Sequence, residues 1–195
     1  RQGFIRQFKE KPTREEAFSN VINAGLYIIE PEVLALVPEG EKFDFSKQLF
    51  PLVLEMGWPM YAQTIDGVWF DVGHPMELIR AQHSLIQGRD DLPFPRPEGT
   101  FSDEGSFFAL GVEVNHDVVG SVVSKATELG MDCKIHDSLL MSGCIIGSDV
   151  MIHASVLGRN VTVGAGSVLT NVVIGDDVTI EAGRNIENVR IPDNL

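Results

Sequence analysis

From Val112 to Ile191 an aliphatic residue returns every five or six positions. The series reads Val112, Val118, Val123, Leu129, Ile135, Leu140, Ile146, Ile152, Leu157, Val163, Leu169, Ile174, Ile180, Ile186 and Ile191. Its steps repeat as six, five, six, so every third member comes back after 17 residues. A six-residue beat is a sign of a parallel β-helix. Each short strand points one aliphatic inward, and the third corner brings the chain back above its start. Leu140, Leu157, Ile174 and Ile191 then form one column, and Ile135, Ile152, Leu169 and Ile186 another. Full burial of each such side chain contributes roughly 1.5–3 kcal/mol. One coil cannot bury its own face, so stability accumulates between stacked neighbours. The five-residue side gives up its residue at a corner, which leaves the strands intact. Glycine follows the beat at positions such as Gly147 and Gly164, and a small or β-branched residue often stands four after it, as at Cys133, Cys144, Val150 and Val161. The spacing predicts a triangular prism and is silent on its hand, since ordinary parallel crossovers are right-handed.

Residues 1–88 carry a different pattern. A strand signal at 3–8 runs into KEKP, and residues 15–18 read as a helical turn opened by Thr13. VINAGLYII, residues 21–29, is rich in Val, Ile and Tyr and reads as a buried strand. Pro31 opens a short helix carrying Val33, Leu34 and Val37, and a second places Leu49, Phe50, Val53 and Leu54 on one face. Residues 59–65 and 67–71 read as strands joined at Asp66-Gly67, and 75–87 as a helix bearing Leu78, Ile79, Gln82, Leu85 and Ile86. Strands alternating with helices predict an α/β unit. RDDLPFPRPEG, residues 89–99, holds three prolines and opens a stiff linker over 89–106. The β-helix then occupies 107–195, with Phe107 and Phe108 expected to cap its open end.

A net charge of −13 argues against a protein that tracks a DNA or RNA backbone. It leaves nucleotides open, since backbone N–H groups and a metal usually hold them. No apolar run approaches the ~20 residues of a membrane-spanning helix, and RQGFIRQFKEK has no signal-peptide core. Cys133 and Cys144 differ by 11, so they fall on different sides of the prism and are expected to be buried thiols in a reducing cytoplasm.

Three segments of the first part could carry chemistry. Glu10-Lys11-Pro12 is either a functional charge pair or a solvated one ahead of a turn. Asn23 and Gly25 interrupt an apolar strand, and Gly there often marks the close approach of a ligand or another backbone. Asp71 follows Trp69-Phe70 and precedes Val-Gly, which suits a metal or hydroxyl ligand and equally a helix or turn cap.

Taken in order, KEKP, INAGLYII-PEVL, FDFSKQLFP and W-x-DVG-x-P, followed by the six-residue beat, resemble the C-terminal half of the sugar-phosphate nucleotidylyltransferases. The likeness is greatest to the mannose-1-phosphate guanylyltransferase type. It covers nearly the whole chain, and it implies a fragment of a Rossmann-like nucleotidyltransferase domain followed by a left-handed parallel β-helix. The implied reaction joins NTP and a sugar 1-phosphate to give NDP-sugar and pyrophosphate. The resemblance implies that Glu10 bonds sugar hydroxyls and Lys11 pairs with the sugar phosphate. It places Asn23 and Gly25 along the sugar pocket, gives Asp71 to Mg²⁺, and makes Trp69 a packing neighbour. Lys11 and Asp71 are the catalytic candidates.

Two departures stand out. His74 follows DVG where the family usually has Thr, and the family's Gly-rich nucleotide loop has no counterpart. Gly3 is the only glycine before Gly25. The expectation is therefore a chain that has lost its nucleotide-binding half and is inactive alone, with a homo-oligomer forming through the β-helix. Rival readings are a β-helix acyltransferase using His136 or His153 as base, 17 residues apart, and a non-catalytic assembly subunit.

Overall fold

The structure is a computed structural model, and it describes residues 3–9, 11–86, 97–114 and 117–193. The chain separates into two compact units, Arg1–Trp69 and Phe70–Leu195.

The second unit is a parallel β-solenoid with three sheets. Strands 122–123, 139–140, 156–157, 173–174 and 190–191 lie in a seven-stranded sheet, completed by 99–101 and 107–109. A five-stranded sheet holds 118–119, 134–136, 151–153, 168–170 and 185–187, and a four-stranded one holds 128–129, 145–146, 162–163 and 179–180. Register is the 17-residue one: Leu140 pairs with Leu157, Leu157 with Ile174, and Ile174 with Ile191. The inward residues of the middle coils, from Val118 to Ile174, form one buried cluster, with Leu129 and Ile186 only partly covered at its margins. Phe108 is fully buried above Val123, whereas its neighbour Phe107 faces outward, so the two phenylalanines cap different faces. Gly99–Phe101 pairs antiparallel with Phe107–Ala109, so residues 99–101 of the expected linker close the start of the seven-stranded sheet. Residues 89–96 lie outside the described residues.

The corners explain the composition between beats. At each, one residue per coil adopts a left-handed φ between 48° and 79°, for example Asp137, Ala154 and Asn171 at one corner and Gly143, Asn160 and Asp177 at another. Asn, Asp and Gly enter that region at least cost. The glycine after the beat has another cause. A Cβ on Gly147 would sit 2.6 Å from the backbone N of Ala165, one coil on, so coils stack there too closely for any side chain.

The five-residue side carries a buried serine ladder. Ser106, Ser121, Ser138 and Ser155 are all fully buried. Ser138 Oγ donates to the carbonyl of His136 at 2.7 Å and accepts from Ser155 N at 3.1 Å. Ser155 Oγ donates to the His153 carbonyl at 2.7 Å and accepts from Val172 N at 3.1 Å. The shortened corner leaves the amides of Ser155 and Val172 off the sheet ladder, and the hydroxyls accept from them. The cysteines occupy the other two corner columns, with Cys133 Sγ 3.0 Å from the Gly147 carbonyl and Cys144 Sγ 3.2 Å from that of Gly158. Burial pushes the Cys144 thiol up to about 11. Neither thiol should react with a bulky disulfide reagent at pH 8 until denaturant is added. Prompt labelling of the native chain would mean the corners open.

Helix α3 is Pro75–Ile86 once α1, Pro31–Leu34, and α2, Phe50–Glu55, are counted. Its Ile79 and Ile86 pack on Phe107, Val122, Leu139 and Val156, the outward column of the seven-stranded sheet. His83 Nε2 lies 2.9 Å from the Gly120 carbonyl. The helix therefore packs with the solenoid, although its sequence continues the first segment.

The first unit is built on Leu49, Phe50 and Val53, covered by Phe8, Val33, Val37, Phe45 and Trp58. Asp44 caps the π-helical turn Phe45–Leu49 by accepting from Lys47 N, and Gln48 accepts from Asp44 N in return. Here the individual strands expected from the sequence are met only in part. Of the strand at 3–8, one bridge remains, Phe4 with Tyr61. Residues 21–29 form no strand: Val21, Ile22, Leu26 and Ile28 are exposed, because no strand among the described residues pairs with them. Residues 67–71 likewise lie outside any sheet.

Candidate functional site

The loop that begins at Asn23 is fixed by its own side chains. Asn23 Oδ1 accepts from Gly25 N at 2.9 Å, an Asx turn, and its Nδ2 donates to the Tyr27 hydroxyl at 2.6 Å. Gly25 has φ 77°, which only glycine takes without strain, and nothing lies within 4 Å of where its Cβ would stand. The Trp69 indole Nε1 donates to the Ala24 carbonyl at 3.2 Å, across 45 residues of sequence. Asn23, Gly25 and Trp69 thus share one constellation, open on the glycine side. The resemblance made Trp69 only a packing neighbour, because a bond from an indole to a backbone carbonyl leaves no trace in residue types. Tyr27 was missed for the same reason.

Lys11 is exposed and holds φ 46°, left-handed for a residue with a side chain. Such a conformation stores on the order of 1–3 kcal/mol and persists where the surroundings impose it. Glu10 lies outside the described residues. The neighbouring turn is anchored by Lys9 Nζ to Glu16 Oε1 at 2.7 Å and by Thr13 N donating to Glu16 Oε2 at 3.1 Å. The Lys9 ammonium, then the Thr13 amide, hold the Glu16 carboxyl at about 2, below its ordinary 4.5. A lowered carboxyl stabilises the turn fully above pH 4.5 and loses that contribution as pH falls toward about 2. An NMR titration should place the Glu16 midpoint near 2, and Lys9→Gln should return it toward 4.5. A wild-type midpoint already near 4.5 would show the pair to be absent in solution.

Asp71 belongs to the second unit and is exposed. Its Oδ1 accepts from Gly73 N at 3.1 Å, so part of the capping reading holds. The start of α3 is capped by the next candidate, His74. Its Nδ1 accepts from Met76 N at 3.3 Å, and its carbonyl accepts from Glu77 N and Leu78 N. An imidazole nitrogen thus accepts from an amide of the first helical turn. Among the described residues no group of three or more His, Cys, Asp or Glu side chains converges as a metal centre.

Residues 1–88 match the nucleotidyl transferase family, and residues 108–194 match the GMPPB C-terminal domain. Together the two matches fit a sugar-phosphate nucleotidylyltransferase that carries a β-helix. Among its relatives, the UTP–glucose-1-phosphate uridylyltransferase of Synechocystis sp. is 46% identical over 71 residues, 36% of this chain and 18% of that protein. The glucose-1-phosphate adenylyltransferase of Desulfitobacterium hafniense is 31% identical over 151 residues, 74% of this chain and 33% of that protein. The mannose-1-phosphate guanyltransferase of Saccharomyces cerevisiae is 40% identical over 75 residues, 38% of this chain and 20% of that protein. The chain spans between 18% and 33% of the length of these three nucleotidylyltransferases. The family match ends at residue 88, whereas the packing boundary falls at Trp69, so α3 is nucleotidylyltransferase by descent and solenoid by contact.

Proposed function

We propose that the chain is the sugar-phosphate-binding and assembly portion of an enzyme that makes NDP-sugar, GDP-mannose in first place, and pyrophosphate from NTP and a sugar 1-phosphate. One observation carries this reading: a nucleotidyl transferase segment is followed directly by a domain of the GMPPB type. In the reaction the sugar-phosphate oxygen forms a bond to the α-phosphorus, and the bond to the bridging oxygen of pyrophosphate breaks. Bringing two anions together is the difficulty, so positioning and charge neutralisation supply the catalysis. The Lys11 ammonium pairs with the sugar phosphate. The Asn23 loop, held by Tyr27 and Trp69, presents its open Gly25 backbone to the sugar ring, and Glu10 accepts hydrogen bonds from sugar hydroxyls.

Mg²⁺, the expected cofactor, suits Asp71. Its oxygens are hard donors and only Oδ1 is engaged, by Gly73 N, while such sites commonly use one or two carboxylates plus phosphate oxygens. When bound, the ion neutralises phosphate charge. The net charge of −13 supports a small-molecule role over a nucleic-acid one. No described helix is long and apolar enough to cross a membrane. Two buried free thiols support a cytoplasmic setting, and the solenoid's flat sides support homo-oligomers.

The test is binding followed by NMR. Mannose 1-phosphate should shift resonances of residues 11 and 23–27, and Lys11→Ala should weaken it about tenfold, or 1.4 kcal/mol. Equal affinity in the variant, or shifts confined to the solenoid, would overturn the assignment. The 195-residue chain alone should make no NDP-sugar, because Gly3 is the only glycine before Gly25, which leaves no glycine-rich phosphate-cradling loop in that stretch. Detectable product would refute that.

A further inference from the structure

We propose that His136 and His153 form a binding site for one borderline transition-metal dication, of the zinc, nickel or copper class. The two residues are direct register partners on adjacent parallel strands, 134–136 and 151–153. Each strand alternates exposed, buried, exposed, so Ile135 and Ile152 enter the core while both histidines stand on the same outer face. Parallel neighbours lie about 4.8 Å apart, and a metal bound to imidazole sits about 2.0–2.1 Å from each nitrogen. Two rings stacked one coil apart can therefore converge on one ion by side-chain rotation alone.

The backbone beneath them is already fixed. The serine ladder donates to the carbonyls of His136 and His153, and Ala154 N and Asn171 N donate to the same two oxygens. Neither imidazole has a hydrogen-bond partner among the described residues, so no bond must break for a metal to enter. The column continues as Val119 on one side and Thr170 and Glu187 on the other, which limits the site to two nitrogens. Water fills the remaining positions. Imidazole ligands select zinc, copper and nickel over magnesium, so this site is chemically separate from the one assigned to Asp71.

The experiment is calorimetric titration of the whole chain with Ni²⁺ in excess Mg²⁺, with Cu²⁺ electron paramagnetic resonance in parallel. One ion per chain is expected, with nitrogen hyperfine structure from two imidazoles. His136→Gln and His153→Gln should each weaken binding at least about tenfold, taking the loss of an outer-shell partner, 10–100-fold, as a lower bound. Both side chains are exposed, so circular dichroism should confirm that the variants fold. Thr170→His extends the column and should tighten binding at least about tenfold, since one order is about 1.4 kcal/mol. Binding unchanged in both glutamine variants, competition by Mg²⁺, or no effect of Thr170→His would overturn the site.

Discussion

Leu157→Ala is expected to destabilise the solenoid by about 2–5 kcal/mol. Leu157 is fully buried in the middle of its column, between Leu140 and Ile174. Truncation removes contacts to both neighbouring coils and leaves a void that the hydrogen-bonded strands above and below cannot close. At about 4 °C per kcal/mol for a unit of this size, the melting temperature should fall by roughly 8–20 °C. Ile191→Ala is the internal control. Ile191 occupies the same column in the last described coil and is only partly covered, so its loss should be much smaller. Differential scanning calorimetry of the two variants separates the cases. Equal losses at 157 and 191 would mean that the coils do not stack as a graded column.

The second large effect is expected at the serine ladder. Ser138→Ala removes a buried hydroxyl that donates to the His136 carbonyl and accepts from the single amide of Ser155. Its methyl cannot do either, and water has no access to a fully buried site. An unsatisfied buried group costs about 1–3 kcal/mol. Ser138→Thr keeps the hydroxyl and tests whether the hydrogen bonds or the volume matter. Val172 stands at the equivalent corner one coil beyond Ser155, so a β-branched shape is sterically acceptable there. Chemical denaturation should rank wild type and threonine above alanine. Hydrogen exchange should locate the loss at the amide of Ser155. An alanine variant as stable as wild type would show that the ladder satisfies nothing essential.

The solenoid was legible in the sequence because its inward positions are set by local spacing. Leu140, Leu157 and Ile174 align as soon as the 17-residue period is counted, and Asp137, Asn160 and Asp149 mark corners that require left-handed φ. The serine ladder was within reach of the same count, since Ser121, Ser138 and Ser155 recur at that period. A buried hydroxyl nevertheless reads as surface until its carbonyl partner is known. In the first segment, Asn23 and Gly25 marked an interruption of an apolar run, and the chain makes an Asx loop there. The bonds from Trp69 and Tyr27 that shape that loop come from residues far along the chain or four positions on, and no periodicity carries them.

By itself the sequence determined which side chains enter the prism and where each coil turns, because both depend on residues a few positions apart. Tertiary structure alone decided that α3 covers the outward column of the seven-stranded sheet. It also decided that residues 21–29 stay exposed instead of forming a buried strand. An apolar face is written locally, but whether it is buried depends on which surface meets it, and that surface lies elsewhere in the chain.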